Sequence, residues 1–155
     1  LTLPGKPFDL SALVTDLAES YGPAAEDAGR TLVRTLEPGI TIDGNRELVA
    51  QLIVNLLDNA LRHTKQGAKI SIELSSGDGG RAELTIADDG PGIPRAERSR
   101  VFERFTRLER SRSTPGHGLG LSLVAAIAAA HGATLALEDN NPGVKFVIGF
   151  KRSPD

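Results

Sequence analysis

NRELVAQLIVNLLDNALRHT, residues 45–64, is the stretch from which the rest of the chain can be read. Leu48, Val49, Leu52, Ile53, Leu56, Leu57, Ala60 and Leu61 recur at helical spacing and form a broad apolar arc, so the helix is expected to be largely buried. Asn45 is of the residue type that caps helix N-termini. Beside the arc, Asn55, Asn59 and Arg62 stand four and three residues apart and share one face. Amide oxygens can ligate a hard cation such as Mg2+, which keeps several waters and takes phosphate oxygens on its other side, while a guanidinium pairs with phosphate. A solvated face with a snorkelling arginine explains the same row.

Upstream, Leu10, Leu13, Val14 and Leu17 give Asp9 to Ala28 a helical period, with Gly22-Pro23 as a point of interruption or restart. Thr31 to Leu36 and Ile40 to Asp43 read as short strands on either side of the Pro38-Gly39 turn. Downstream, Lys69 to Leu74 and Ala82 to Ala87 alternate apolar and polar residues around a Ser75 to Gly80 turn, which predicts an antiparallel pair. Leu119 to His131 reads as a helix stopped by Gly132, and Thr134 to Glu138 with Val144 to Phe150 as a second hairpin around Asn140 to Gly143. Strands and helices do not alternate strictly, which argues against a doubly wound parallel sheet. The expected class is α+β: a two-layer α/β sandwich with helices packed on one face of a mixed, mostly antiparallel sheet.

A chain of 155 residues suits one domain around one core. Its net charge of −2 provides no general field for nucleic acid, so no nucleic-acid partner is expected. The absence of cysteine excludes disulfides, zinc-thiolate sites and thiol nucleophiles together. Leu119 to Ala130, the longest apolar stretch, is too short to span a bilayer. The absence of methionine points to a piece of a longer protein.

Three further stretches carry chemistry. Asp88-Asp89-Gly90-Pro91-Gly92-Ile93-Pro94 follows a strand. It is either an ordinary acidic turn or a site where a carboxylate accepts from an exocyclic amine while a flat aromatic ring lies against bare glycine backbone. Gly116 to Leu121 offers backbone N–H groups at a helix entrance, where the dipole favours an anion. No Gly-Lys-Ser/Thr follows it and no βαβ unit contains it, so neither a Walker loop nor a Rossmann fingerprint fits. Between them, Pro94 to Pro115 has the length and polarity of a lid, with Phe102 and Phe105 as local anchors or ligand contacts.

In order and spacing, Asn55-Leu-Leu-Asp-Asn59-Ala-Leu-Arg62-His63-Thr64, Asp88-Asp-Gly90-Pro-Gly92-Ile93, Phe102-Glu-Arg-Phe105 and Gly116-His-Gly118-Leu-Gly120-Leu resemble the N, G1, F and G2 boxes of the sensor histidine kinase catalytic and ATP-binding domain. That domain belongs to the GHKL superfamily, with its Bergerat fold, shared with gyrase, heat-shock chaperone and MutL ATPases. The likeness runs from about Phe8 to Phe150. One box would be weak evidence; four in series are strong.

The resemblance implies a single catalytic domain over residues 1–155 with an ATP lid at about 94–116, and ATP and Mg2+ as its ligands. Asn59 would supply the metal ligand, and Asn55 would help hold the metal or its water. Arg62 would reach the phosphates, with His63 close to the nucleotide. Asp88 would receive the adenine amino group, Gly90, Gly92 and Ile93 would shape the base pocket, and Phe102 would lie at the nucleotide. Gly116, Gly118, Leu119, Gly120 and Leu121 would wrap the phosphate chain, and Arg107 would swing to the γ-phosphate. The catalytic group is thus Asn55, Arg62 and Arg107.

The implied reaction is donation of the γ-phosphoryl group to a histidine on a separate dimerisation and phosphoacceptor domain, expected to lie outside this chain, with a response regulator downstream. A monomeric domain in the cytoplasm is expected, within a homodimeric parent compatible with an inner-membrane anchor. The competing readings are an anti-sigma-factor-like serine kinase and a regulatory ATP-binding module without transfer. Gyrase-type hydrolysis fits less well, because Asn55 stands where those enzymes carry a glutamate that activates water. The chain departs from the family at Val144, where a threonine frequently follows the glycine, at Asn45, where aspartate is common, and at His117, a variable position whose titration would make activity sensitive to pH.

Overall fold

The structure is a computed structural model and describes residues 5–90 and 119–154. Its elements, in chain order, are β1 (Lys6–Asp9), α1 (Leu10–Asp27), β2 (Thr31–Leu36), β3 (Thr41–Gly44), α2 (Arg46–His63), β4 (Lys69–Ser76), a 3-10 turn (Asp78–Gly80), β5 (Arg81–Asp88), α3 (Leu119–Ala130), β6 (Thr134–Asp139) and β7 (Val144–Lys151).

Each helix begins or ends for a local reason. Asp9 Oδ1 accepts from the Ala12 amide at 2.9 Å and starts α1, and Asn45 Oδ1 accepts from the Leu48 amide at 3.0 Å and starts α2, as its residue type predicts. Helix α3 stops at Gly132 (φ +62): the Gly132 amide returns to Ala129 O and the Ala133 amide to Ala128 O, a Schellman pair that needs a left-handed residue. Pro23 does not interrupt α1. It lies on the exposed face, and Leu10, Leu13, Val14, Ala18 and Ala25 anchor the helix in the core on both sides of it. Burial at roughly 1.5–3 kcal/mol per large aliphatic side chain outweighs the roughly 3 kcal/mol cost of an interior proline.

The main sheet has the order β2-β4-β5-β7-β6. Among the described strands only β2 and β4 pair in parallel; β4 with β5, β5 with β7 and β6 with β7 are antiparallel. The two strands flanking Pro38-Gly39 therefore belong to different sheets. β2 pairs with β4, whereas β3 pairs antiparallel with β1, an element the periodicity does not reveal because Lys6–Asp9 holds just one large apolar residue, Phe8.

Period-2 alternation puts Ile70, Ile72, Leu74, Ala82, Leu84, Ile86, Val144, Phe146, Ile148 and Phe150 on one face, where they are buried. The helices cover that face: α2 packs against α1 on one side and α3 on the other, with Val49, Leu52, Ile53, Leu56, Leu57 and Ala60 turned into the core. The opposite face, with Ser71, Glu73, Glu83, Thr85 and Lys145, is polar. The expected two-layer α+β sandwich is the observed one. Among the described residues no helix is long and apolar enough to cross a membrane.

Candidate functional site

Strand β5 sits in the middle of the sheet and delivers Asp88 to its end, beside the last turn of α2. Asp88 is only 6% exposed. Its Oδ1 accepts from the Gly90 amide at 2.8 Å, and the Val144 amide, at the start of β7, also donates to the carboxyl. Burial pushes the acid up from its ordinary value; the Gly90 and Val144 amides oppose that, Asp89 adds to it and His63 lowers it. An ionised carboxylate has about four acceptor positions, and the two backbone donors found among the described residues leave capacity for a ligand's N–H group.

Asp89 has a different task. Its Oδ1 accepts from the Lys69 amide at 2.8 Å, and its own amide donates to Lys69 O at 3.2 Å, so it fastens the chain to the start of β4. Of the adjacent acids, one is structural and the other faces α2.

Gly90 permits a close approach. A Cβ there would lie 3.0 Å from Asp88 Oδ1, 3.1 Å from Thr64 Cγ2 and 3.4 Å from His63 O. A cavity of about 380 Å³, lined by Lys65, Gln66, Gly67, Ala68, Asp89 and Gly90, opens beside it. The end of α2 is itself held. Thr64, buried, donates from Oγ1 to Ala60 O at 2.7 Å, and Arg30 donates from Nε to Thr64 Oγ1 at 3.2 Å and from its terminal nitrogens to Thr64 O and Ala28 O. One guanidinium thus satisfies carbonyls at the ends of both α1 and α2, where helix dipoles favour a cation.

The predicted residues fall as follows. His63, Asp88 and Gly90 meet at the junction of α2 and β5. Asn55 and Asn59 are half-buried on α2, two turns and one turn before His63 respectively, and Arg62 is exposed. Gly120, in the first turn of α3, faces Asn55: a Cβ there would lie 3.8 Å from Asn55 Cβ. Two of the sequence boxes are therefore in contact. The Leu121 side chain is buried in the core, so any part it takes with phosphate is through its backbone. Leu119 begins α3. Gly92, Ile93, Phe102, Arg107, Gly116 and Gly118, and the lid at 94–116, lie outside the described residues.

Sequence reasoning assigned no role at the site to Arg30, Thr64 or Asn140. Arg30 and Thr64 lie 34 positions apart, and Asn140 lies 52 positions from Asp88. No periodic or local signal links them. At Val144, where the family resemblance leads one to expect a threonine, the backbone amide donates to the buried acid.

Helices on one face of this sheet, with the end of its central strand turned to the long middle helix, form the GHKL ATP-binding fold. Residues 44–154 match the family described as histidine kinase-, DNA gyrase B-, and HSP90-like ATPase. The signal transduction histidine-protein kinase/phosphatase MprB of Mycobacterium sp. (strain KMS) is 43% identical over 121 residues, covering 75% of this chain and 24% of that protein. The solved mycobacterial sensor histidine kinase MprB superposes with a TM-score of 0.81 at 31% identity, covering 98% of this chain and 100% of that one. Full-length ShkA, solved in complex with AMPPNP, gives 0.83 at 27% identity, over 100% of this chain and 32% of that one. The chain belongs to this ATPase family, as a catalytic domain of the sensor histidine kinase type. ATP binding and a kinase role are supported at the level of the family. The chain spans about a quarter of the length of the MprB relative it matches.

Proposed function

We propose that this chain binds Mg-ATP and donates its γ-phosphoryl group to a histidine on a separate dimerisation and phosphoacceptor domain, for relay to a response regulator. The observation that carries the reading is the buried Asp88 carboxyl at the end of β5, which among the described residues accepts from two backbone amides and keeps further acceptor positions. That arrangement suits the exocyclic amino group of adenine. Gly90 would admit the base to bare backbone, and by the family resemblance Gly92, Ile93 and Phe102 would complete the pocket.

The donor set on α2 suits a magnesium ion carried in with the nucleotide. Among the described residues no three His, Cys, Asp or Glu side chains gather to hold a metal. Asn59 and Asn55 would each contribute an amide oxygen, with water and phosphate filling the remaining positions. Bound there, the ion would neutralise charge on the phosphates. Arg62 and His63 would steady the same phosphates, and the backbone of Gly116, Gly118, Leu119, Gly120 and Leu121 would donate to them. Arg107 would stabilise charge on the group in transfer. The chain would act as a single monomeric domain on the cytoplasmic side, where ATP is available.

The test pairs the chain with a hairpin domain carrying the acceptor histidine. With labelled ATP, acid-labile phosphate is expected on that histidine, and little on this chain alone. Arg107→Ala should lower transfer while nucleotide affinity stays nearly constant. Nucleotide binding without transfer to any supplied hairpin domain would favour a regulatory ATP module, and label on serine would favour the serine-kinase reading.

A further inference from the structure

The turn between β6 and β7 is built around Asp88. The β5–β7 ladder ends at Ala87↔Lys145, so it does not supply a partner for the next carbonyl, that of Asp88. The Asn140 side chain takes it: Nδ2 donates to Asp88 O at 2.8 Å. The turn is closed by the Asn140 amide donating to Gly143 O at 3.1 Å. Gly143 (φ +111) lies directly on the same carbonyl, and a Cβ there would stand 1.8 Å from Asp88 O, so no side chain fits. One residue later, the Val144 amide donates to the Asp88 carboxyl. A single turn therefore grips Asp88 by both its main-chain oxygen and its side chain.

On the reading of Asp88 as the adenine acceptor, we infer that Asn140 is a positioning residue for base selectivity: by fixing the Asp88 peptide it aims the carboxyl at the amino group of the base. A rotation of the Asp88 peptide turns its Cα–Cβ bond, and with it the direction of the remaining acceptor positions. Asn140 touches Asp88 through the backbone and needs no contact with the nucleotide. Its loss should weaken binding only of ligands that use the acid's acceptor.

The experiment compares affinities of this chain for Mg-ADP and for Mg-inosine diphosphate, which carries an oxo group in place of the amino group. In Asn140→Ala, ADP affinity should fall by about fivefold to tenfold, the size of one hydrogen bond, while inosine diphosphate affinity stays within about twofold. Equal losses for both ligands, or no loss for either, would overturn the inference. If the alanine variant fails to fold, Asn140→Leu keeps the size without the donor and adds no charge, so the affinity ratio reads the same question. Asp88→Asn is the control on the underlying reading. If it keeps the wild-type preference for ADP, the adenine assignment itself fails; if it loses that preference and Asn140→Ala does not, only the positioning role fails.

Discussion

Two carboxylates stand at opposite ends of the central strands and have been treated in opposite ways. Glu37 lies at the end where β4 turns into β5. It is exposed and spends its oxygens on structure, with Oε1 accepting from the Ser76 amide at 3.1 Å and Oε2 from Ser76 Oγ at 2.6 Å, while Arg152 donates to the same hydroxyl at 3.0 Å. These hydrogen bonds hold its acid below the ordinary value of 4.5. Asp88, at the other end, is buried, and burial pushes its acid up. The contrast separates a charge that supports the fold from one kept in poor solvent with acceptor positions in reserve, which is how sites with a chemical task commonly differ from latches.

The largest effect should come from Asp88. Asp88→Asn replaces an acceptor by a group that is half donor, and adenine-nucleotide affinity should fall by about 10- to 150-fold, the worth of a hydrogen bond to a charged group, measured by calorimetry. Because the folded-state acid is raised, its contribution to stability is present at low pH and lost as pH rises through its folded value. At neutral pH the ionised form is therefore a burden on the empty fold, and the D88N variant should melt no lower than the wild type. Glu37→Gln should do the reverse, leaving affinity unchanged.

Gly143→Ala should rank second. The added methyl group meets the Asp88 carbonyl in a backbone conformation that disfavours side chains, and a loss of about 2 kcal/mol is expected in urea denaturation. Nucleotide affinity should fall with it, because the turn that grips Asp88 must move. Thr64→Val should follow at about 1 kcal/mol, since it removes the hydroxyl that links Arg30 to the end of α2.

The smallest effect is the titration of Glu37. A depressed carboxylate contributes stability above its unfolded value and loses it as pH falls through the folded one. Wild type and Glu37→Gln should differ in melting temperature near neutral pH and converge once the acid is protonated. A gap that persists below that range would mean the latch works through shape rather than charge.

Much of the fold beneath this contrast is legible in the sequence. The α2 arc, the Asn45 cap, the β4–β5 hairpin and the Gly132 stop are local patterns, and local patterns survive folding when tertiary packing agrees with them. Asp88 and Gly90 could be read as a site because their stretch stands in series with three others that resemble the family's boxes; by itself an acidic turn explains it as well. The parallel pairing of β2 with β4 could not, since parallel neighbours are set by what α2 covers and not by a turn between them. Nor could the supports of the site: Arg30 on Thr64 and Asn140 on Asp88 join residues far apart in the chain, one guanidinium or one amide at a time. The latch at Glu37 is hidden for the same reason, its partners coming from the ends of β4 and β7.

One titration tests the division most directly. Backbone amide resonances followed while Mg-ADP is added should shift at Thr64, Asp88, Gly90 and Val144 and along the Asn55–Asn59 turn of α2, with Ser76, Arg81 and Arg152 unmoved. Shifts centred on Glu37 and Ser76, or none at saturating nucleotide, would contradict the account.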